Sequence, residues 1–283
     1  MTRDDGARGA RVLIFDSGLG GLTVLAAVAR ERPDAELIYA ADDAFFPYGA
    51  LAEAALVERV GAVMGDLIAR YAPDLAVVAC NTASTLVLPP LRAAFPLLPF
   101  VGTVPAIKPA AQASRSRLVS VLATPGTVAR DYTHALVRDF AGDCEVTLVG
   151  SARLAGLAES ALRGEDVADE DVAREIAPCF VARAGRRTDQ VVLACTHFPL
   201  LVDRLQRVAS WPVAFVDPAP AIARRVDALL GARAAPRDPD ALSGAVFTSG
   251  RTPSLALQKA LRRHGLAITP TIDVRGGPLS VAP

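Results

Sequence analysis

The chain of 283 residues carries 30 Lys+Arg against 30 Asp+Glu and is neutral overall, which argues against a nucleic-acid groove and against a surface drawn to acidic lipid. It is long enough for a large core, and two domains of ordinary size are the default expectation. Four cysteines without a CxxC pair lack the density of a secreted scaffold, so reduced thiols in a cytoplasmic protein are expected.

Residues 1–11 are polar and charged, hold no apolar core of signal-peptide length, and read as a disordered start. An apolar strand over residues 11–15 runs into Asp16-Ser17-Gly18-Leu19-Gly20-Gly21, after which residues 22–31 read as a helix stopped by Pro33. Residues 36–40 form a second strand, 50–70 a long amphipathic helix and 75–79 a third strand. Residues 82–88 begin a helix that Pro89-Pro90 are expected to interrupt. The most apolar stretch, 86–107, contains Arg92 and prolines at 89, 90, 96, 99 and 105, too broken for a membrane span.

The pattern then restarts. A strand over 117–122 ends in Ala123-Thr124-Pro125-Gly126-Thr127, and a helix follows through Phe140. Residues 145–149 are a strand, 169–184 a helix with Pro178 inside it, and 190–194 the strand before Cys195. Residues 211–216 read as a strand that leads through Asp217-Pro218 into a helix to Leu230 and returns to the first domain. Residues 233–240 read as a surface loop, and the chain after His264 as a loose tail. Both halves run strand, Gly-containing turn, helix, strand, helix, strand, cysteine. That order predicts an α/β fold of two similar three-layer domains with mainly parallel sheets, related by a pseudo-twofold axis, with the site in the cleft between them. The expected division is 1–105, completed by 213–283, and 106–212.

The two halves share a phrase. Leu75-Ala76-Val77-Val78-Ala79-Cys80-Asn81-Thr82 and Gln190-Val191-Val192-Leu193-Ala194-Cys195-Thr196-His197 each follow an apolar run with Ala-Cys and small polar residues. Buried parallel strands deliver side chains at their carboxyl ends, where ligands of open α/β sheets bind. A lone cysteine in an apolar strand is usually an inert small hydrophobe, and Cys144 and Cys179 are read that way. Cys80 and Cys195 differ by position: each ends a strand. A helix start after Cys80 is expected to lower its pKa from a reference of about 8.5. Zinc is the rival for Cys80, Cys195 and His197, but no fourth ligand stands at a recognised spacing. The glycine turn after Asp16 is not GxGxxG, because Thr23 occupies the third position, so it is either a tight capped turn or an anion cradle. His134 and His264 read as surface residues.

Together, Phe15-Asp16-Ser17-Gly18-Leu19-Gly20-Gly21, Pro47-Tyr48-Gly49, Ala79-Cys80-Asn81-Thr82-Ala83-Ser84 and Ala194-Cys195-Thr196-His197-Phe198-Pro199-Leu200 resemble the glutamate racemases of the aspartate/glutamate racemase superfamily. The resemblance covers most of the chain, from Asp16 to about Val216. It implies two stacked α/β domains and cofactor-independent interconversion of L- and D-glutamate for peptidoglycan. Cys80 and Cys195 fall on the catalytic cysteines, with Asp16, His197 and Glu159 as their polar partners. Asp16, Ser17, Pro47, Tyr48, Gly49, Asn81, Thr82, Thr196 and His197 fall on substrate contacts, and Thr124 and Thr127 match a Thr-containing turn of the second domain. Two departures stand out: residues 151–156 lack the expected Pro-containing stretch before Glu159, and Phe45 stands where many members have Arg.

The implied partner is a small amino acid, with neither nucleic acid nor membrane, and the oligomeric state stays open between monomer and homodimer. No metal and no cofactor are expected. Lys108 and Lys259 are the only lysines, and neither lies in a strand-end motif where a Schiff base would form. The absence of arginine from the motifs points to neutral donors for the substrate carboxylates. The rival readings are a racemase of aspartate or a hydantoin, and a non-catalytic binding protein on the same fold.

Overall fold

The computed structural model describes residues 9–238 and 243–269. The first part of the chain forms β1 (Arg11–Asp16), α1 (Leu22–Glu31), β2 (Glu36–Ala41), α2 (Glu53–Tyr71), β3 (Leu75–Val78), α3 (Asn81–Ala94) and β4 (Phe100–Gly102). The middle forms α4 (Ile107–Ala113), β5 (Leu118–Ala123), α5 (Pro125–Val128), α6 (Asp131–Phe140), β6 (Glu145–Gly150), α7 (Leu154–Leu162) and α8 (Asp169–Ile176). It continues with β7 (Ala182–Arg183), β8 (Arg186–Arg187), β9 (Gln190–Ala194), α9 (Val202–Val208) and β10 (Ala214–Val216). The last part forms α10 (Ala219–Leu230), β11 (Ser243–Phe247), α11 (Leu255–Arg263) and β12 (Leu266–Ile268).

These strands build a six-stranded sheet in the order β12-β11-β2-β1-β3-β4 and a four-stranded sheet in the order β10-β9-β5-β6, with every pairing in both sheets parallel. Within them, β2-β1-β3-β4 and β6-β5-β9-β10 follow the same order, so the expected α/β fold of two similar lobes holds. Alternation along the strands sends side chains to two cores per sheet. In β1, Val12 and Ile14 join one cluster and Leu13 and Phe15 the other. In β9, Val191 and Leu193 face one core and Val192 and Ala194 the other. Cys80 follows β3 and Cys195 follows β9, which puts both at the carboxyl ends of corresponding strands.

Four sequence expectations are corrected. Pro89 and Pro90 do not break the helix: α3 runs through both. Pro89 lies on its exposed side, while Val87 and Leu91 bury in the core and hold the turn against the roughly 3 kcal/mol cost of an internal proline. The helix expected over 169–184 ends at Ile176; Ala177–Cys179 makes one 3₁₀ turn around Pro178. The β7–β8 hairpin follows, turning at Ala184 and Gly185, both with positive φ, as a two-residue loop of this kind requires.

Residues 214–216 stay with the second sheet, because β10 pairs with β9 and its Phe215 and Val216 pack on that lobe's cores. The return to the first lobe starts after Val216, where Asp217 Oδ1 accepts the Ala219 N–H at 2.8 Å, and α10 then packs Ile222 and Val226 into the core of α1. The chain after His264 is not wholly a tail: β12 pairs with β11 at the sheet edge. Residues 1–8 of the expected disordered start, 239–240 of the loop and 270–283 of the tail lie outside the described residues. Among the described residues, no helix is long and apolar enough to cross a membrane.

Candidate active site

Residues at the strand ends of the two lobes interlock. In the first lobe Asp16 ends β1, fully buried, and its Oδ2 accepts the Gly18 N–H at 3.1 Å. Tyr39 donates its hydroxyl to the Gly18 carbonyl at 2.6 Å and fixes the glycine turn from below. Cys80 caps α3 from an extended conformation, with its Sγ 3.7 Å from Ser17 Oγ. Burial pushes the Cys80 thiol up to about 12, and the Asp16 charge adds to this; the Ala83 N–H at the helix start and the Ser17 hydroxyl pull the other way. The expected lowering at a helix N-terminus is therefore present but outweighed, because Cys80 is only 5% exposed.

In the second lobe Cys195 Sγ lies 3.9 Å from His197 Nδ1, and His197 Nε2 lies 2.9 Å from Glu159 Oε1. Glu159 stands on α7, and Arg163 one turn later donates to its Oε2 at 3.0 Å. Burial disfavours charge on the His197 ring, but its bonds to Cys195 and Glu159 outweigh that and raise its pKa. Burial likewise opposes the Glu159 charge, and the His197 bond holds its pKa below the usual carboxylate range. A ring protonated on Nε2 donates to Glu159 and leaves Nδ1 to accept from the thiol. A ring protonated on Nδ1 can donate to a thiolate, and Nε2 can then accept the Gly20 N–H, 3.2 Å away.

The lobes meet through these groups. Leu19 N–H donates to Glu159 Oε1 at 2.6 Å, and Thr196 donates its hydroxyl to Asp16 Oδ1 at 3.1 Å. A β-carbon on Gly18 would sit 2.3 Å from Glu159 Oε1, and one on Gly20 2.5 Å from His197 Nδ1 and 2.7 Å from the His197 backbone nitrogen. Glycine is therefore required here by the approach of the opposite lobe. Thr82 of the first lobe meets Thr124 and Thr127 of the second, with hydroxyl separations of 3.1 and 3.5 Å. Asn81 is buried with neither its amide oxygen nor its nitrogen bonded within the protein. Buried polar atoms are normally paired, so this side chain is available to a polar ligand.

Asp16, Ser17, Cys80, Asn81, Thr82, Thr124, Thr127, Glu159, Cys195, Thr196 and His197 gather at this cleft, whereas the Tyr48 side chain does not. The Tyr48 hydroxyl is turned away and donates to Asp42 Oδ2 at 2.6 Å, and Gly49 lies against Thr124 of the second lobe. Asp42 also accepts from Arg59 Nε at 2.9 Å and from the Thr248 hydroxyl at 2.5 Å. Sequence reading missed Asp42, Arg59 and Thr248, and also Arg130, a cation at the cleft mouth paired with Glu53 at 3.2 Å. Only the position of Asp42 directly after a strand marked it out. Phe45, at the position where arginine was the expectation, lies under the Arg59 guanidinium at 4.2 Å. Among the described residues no group of three or more His, Cys, Asp and Glu is arranged to hold a metal ion.

Comparisons with known proteins agree with this geometry. The sequence model of the Asp/Glu/hydantoin racemase family matches residues 17–226. Glutamate racemase of Brucella canis is 52% identical over 255 residues, covering 90% of this chain and 92% of that protein. Glutamate racemase of Sinorhizobium fredii is 53% identical over 260 residues, covering 91% and 96%. The crystal structure of Escherichia coli glutamate racemase in complex with L-glutamate and the activator UDP-MurNAc-Ala superposes with a TM-score of 0.86 at 43% identity, covering 95% of this chain and all of that one. With more than half its length matched and relatives above half identity, the chain belongs to the Asp/Glu/hydantoin racemase family.

Proposed function

We propose that this protein is a glutamate racemase that needs no cofactor and interconverts L- and D-glutamate by proton transfer between two thiols. The observation that carries the reading is the placement of Cys80 and Cys195 at corresponding strand ends of two similarly ordered sheets, joined by the Asp16–Thr196 and Leu19–Glu159 bonds. One sulfur, as thiolate, takes the α-proton and becomes a thiol. The other, as thiol, gives its proton to the opposite face of the carbanion and becomes a thiolate. The enzyme ends with its protonation reversed, ready for the other enantiomer.

Asp16 and Ser17 orient Cys80, while His197, held by Glu159, serves Cys195. Proton transfer of this kind contributes about 10²–10⁴-fold; positioning and preorganised donors supply the rest. Ser17, Asn81, Thr82, Thr124, Thr127 and Thr196, with the backbone at Tyr48-Gly49, hold the carboxylates and the ammonium. Lys108 and Lys259 stand on α4 and α11, Lys108 exposed against the Phe140 ring, which supports chemistry without a Schiff base. The reaction chamber lies between a lobe of residues 9–105 with 217–238 and 243–269 and a lobe of 106–216. The relatives' activity and the family fold support D-glutamate supply for peptidoglycan as the physiological role.

The test is racemisation followed by circular dichroism from either enantiomer, without added cofactor, with aspartate run beside glutamate. Cys80→Ser and Cys195→Ser should each abolish turnover and leave the far-UV spectrum unchanged. Normal turnover by either variant removes that sulfur from the mechanism, and preference for aspartate reassigns the substrate. Growth of a D-glutamate auxotroph on this gene tests the cell-wall role.

A further inference from the structure

A cavity of about 450 Å³ opens at the mouth of the cleft, lined from both lobes by Tyr48, Gly49, Thr82, Thr85, Arg130 and Tyr132 among others. It shares Thr82 and the Tyr48-Gly49 backbone with the inner site and extends outward from them. Arg130 is its cation. It stands between α5 and α6 on the second lobe, and its side chain is only 12% exposed. Its ion pair reaches across the mouth to Glu53 at the start of α2 on the first lobe, 3.2 Å away. Glu53 itself is 69% exposed. Arg130 Nε is buried without a hydrogen-bond partner among the described residues.

A guanidinium presents five donors in a planar fork that suits a carboxylate bidentately. Here the fork is engaged at one end by a carboxylate that is itself mostly exposed to solvent, so Glu53 can exchange its guanidinium contact for water. Another carboxylate arriving through the cavity can therefore take the place of Glu53 on the guanidinium. Burial disfavours the guanidinium charge, which makes a replacement anion more valuable there than in water.

We propose that Arg130 forms an outer carboxylate subsite, where an incoming dicarboxylate exchanges with Glu53 before passing inward to the two thiols. This rests on the glutamate reading above. Since the Arg130–Glu53 pair also spans the lobes, a purely structural tether is the competing account, and the two accounts make opposite predictions for Glu53→Gln.

The experiment compares wild type, Arg130→Gln, Arg130→Lys and Glu53→Gln, with kcat and KM measured for both enantiomers at low and raised ionic strength. With the subsite, Arg130→Gln raises KM about tenfold with little change in kcat and flattens the salt dependence, in keeping with a lost charge-assisted contact. Arg130→Lys, which keeps the charge and loses the fork, falls between. Glu53→Gln removes the competing carboxylate and lowers KM. A tether instead makes Arg130→Gln and Glu53→Gln change KM in the same direction, and that result overturns the subsite, as does an unchanged KM in Arg130→Gln. Wild-type inactivity on glutamate is a failure of the functional reading alone. Calorimetric binding of glutarate to the same variants then still decides the subsite, by weaker binding to Arg130→Gln and tighter binding to Glu53→Gln or by no difference among them.

Discussion

Leu19 and Glu159 stand 140 residues apart in the chain and 2.6 Å apart in space, the amide of one donating to the carboxylate of the other. Through this bond the glycine turn of the first lobe orients the carboxylate that holds His197 beside Cys195. The contact between the two lobes and the placement of His197 beside Cys195 thus depend on the same carboxylate.

Gly20→Ala tests that coupling. The added methyl would meet Thr196 Oγ1 at 2.6 Å and the His197 backbone nitrogen at 2.7 Å, distances that no small shift relieves. Turnover should fall at least about a hundredfold, the cost of a misplacement of roughly 1 Å at a reacting group. The turn's own conformation needs no positive φ, so the first lobe should fold normally. A thermal midpoint near wild type with lost activity is the expected pair of results; full activity refutes the coupling.

His197→Asn should lower kcat by about 10²–10⁴, as loss of a general acid–base does. It also has a stability signature. Burial opposes the ring's charge, but Cys195 and Glu159 outweigh it and raise the pKa to about 10 from an ordinary 6.5. A raised pKa gives stability that is complete below pH 6.5 and disappears as pH climbs through about 10. Urea unfolding across that window should show the decline in wild type and its loss in His197→Asn.

Asp42 holds the Tyr48 segment from within the first lobe. Buried, it receives Tyr48, both ends of the Arg59 fork and Thr248. Thr248→Val should raise KM for glutamate by about fivefold, the effect of a lost hydrogen bond near 1 kcal/mol, with kcat nearly intact. Thr248→Ser, which keeps the hydroxyl, should restore KM. Equal behaviour of the serine and valine variants would show that the hydroxyl is irrelevant.

Asp34 should matter for folding alone. It grips Arg32 through Nε at 2.8 Å and Nη2 at 2.7 Å, and the guanidinium is only 1% exposed. Asp34→Ala leaves that charge buried without its fork, at a cost of about 3–5 kcal/mol in denaturant unfolding. The hydrogen bond from Arg32 lowers the Asp34 pKa from 3.8 to about 2. The linked stability, about 2 kcal/mol, is therefore present above pH 3.8 and lost as pH falls through about 2.

Much of this was legible in the chain. Alternating apolar runs and glycine turns specified parallel strands with helical crossovers, and Ala-Cys at two strand ends marked the sulfur positions. Two of the misreadings share a cause: they depended on packing against elements elsewhere in the fold. Pro89 and Pro90 look like helix breakers until the packing of Val87 and Leu91 is known. Residues 214–216 look free to return to the first lobe until β9 is seen to hold them.

The order of elements, the two thiols and the polar residues beside them were set by local sequence, because backbone propensity and side-chain periodicity act over a few residues. Which groups confront one another across the cleft was decided only by tertiary structure. Leu19 against Glu159, Thr196 against Asp16, Thr82 against Thr124, and Arg130 against Glu53 are contacts between lobes, fixed when two separately built cores dock. No local pattern encodes such pairings, since their geometry and the exclusion of solvent around them arise from the closing of one lobe on the other.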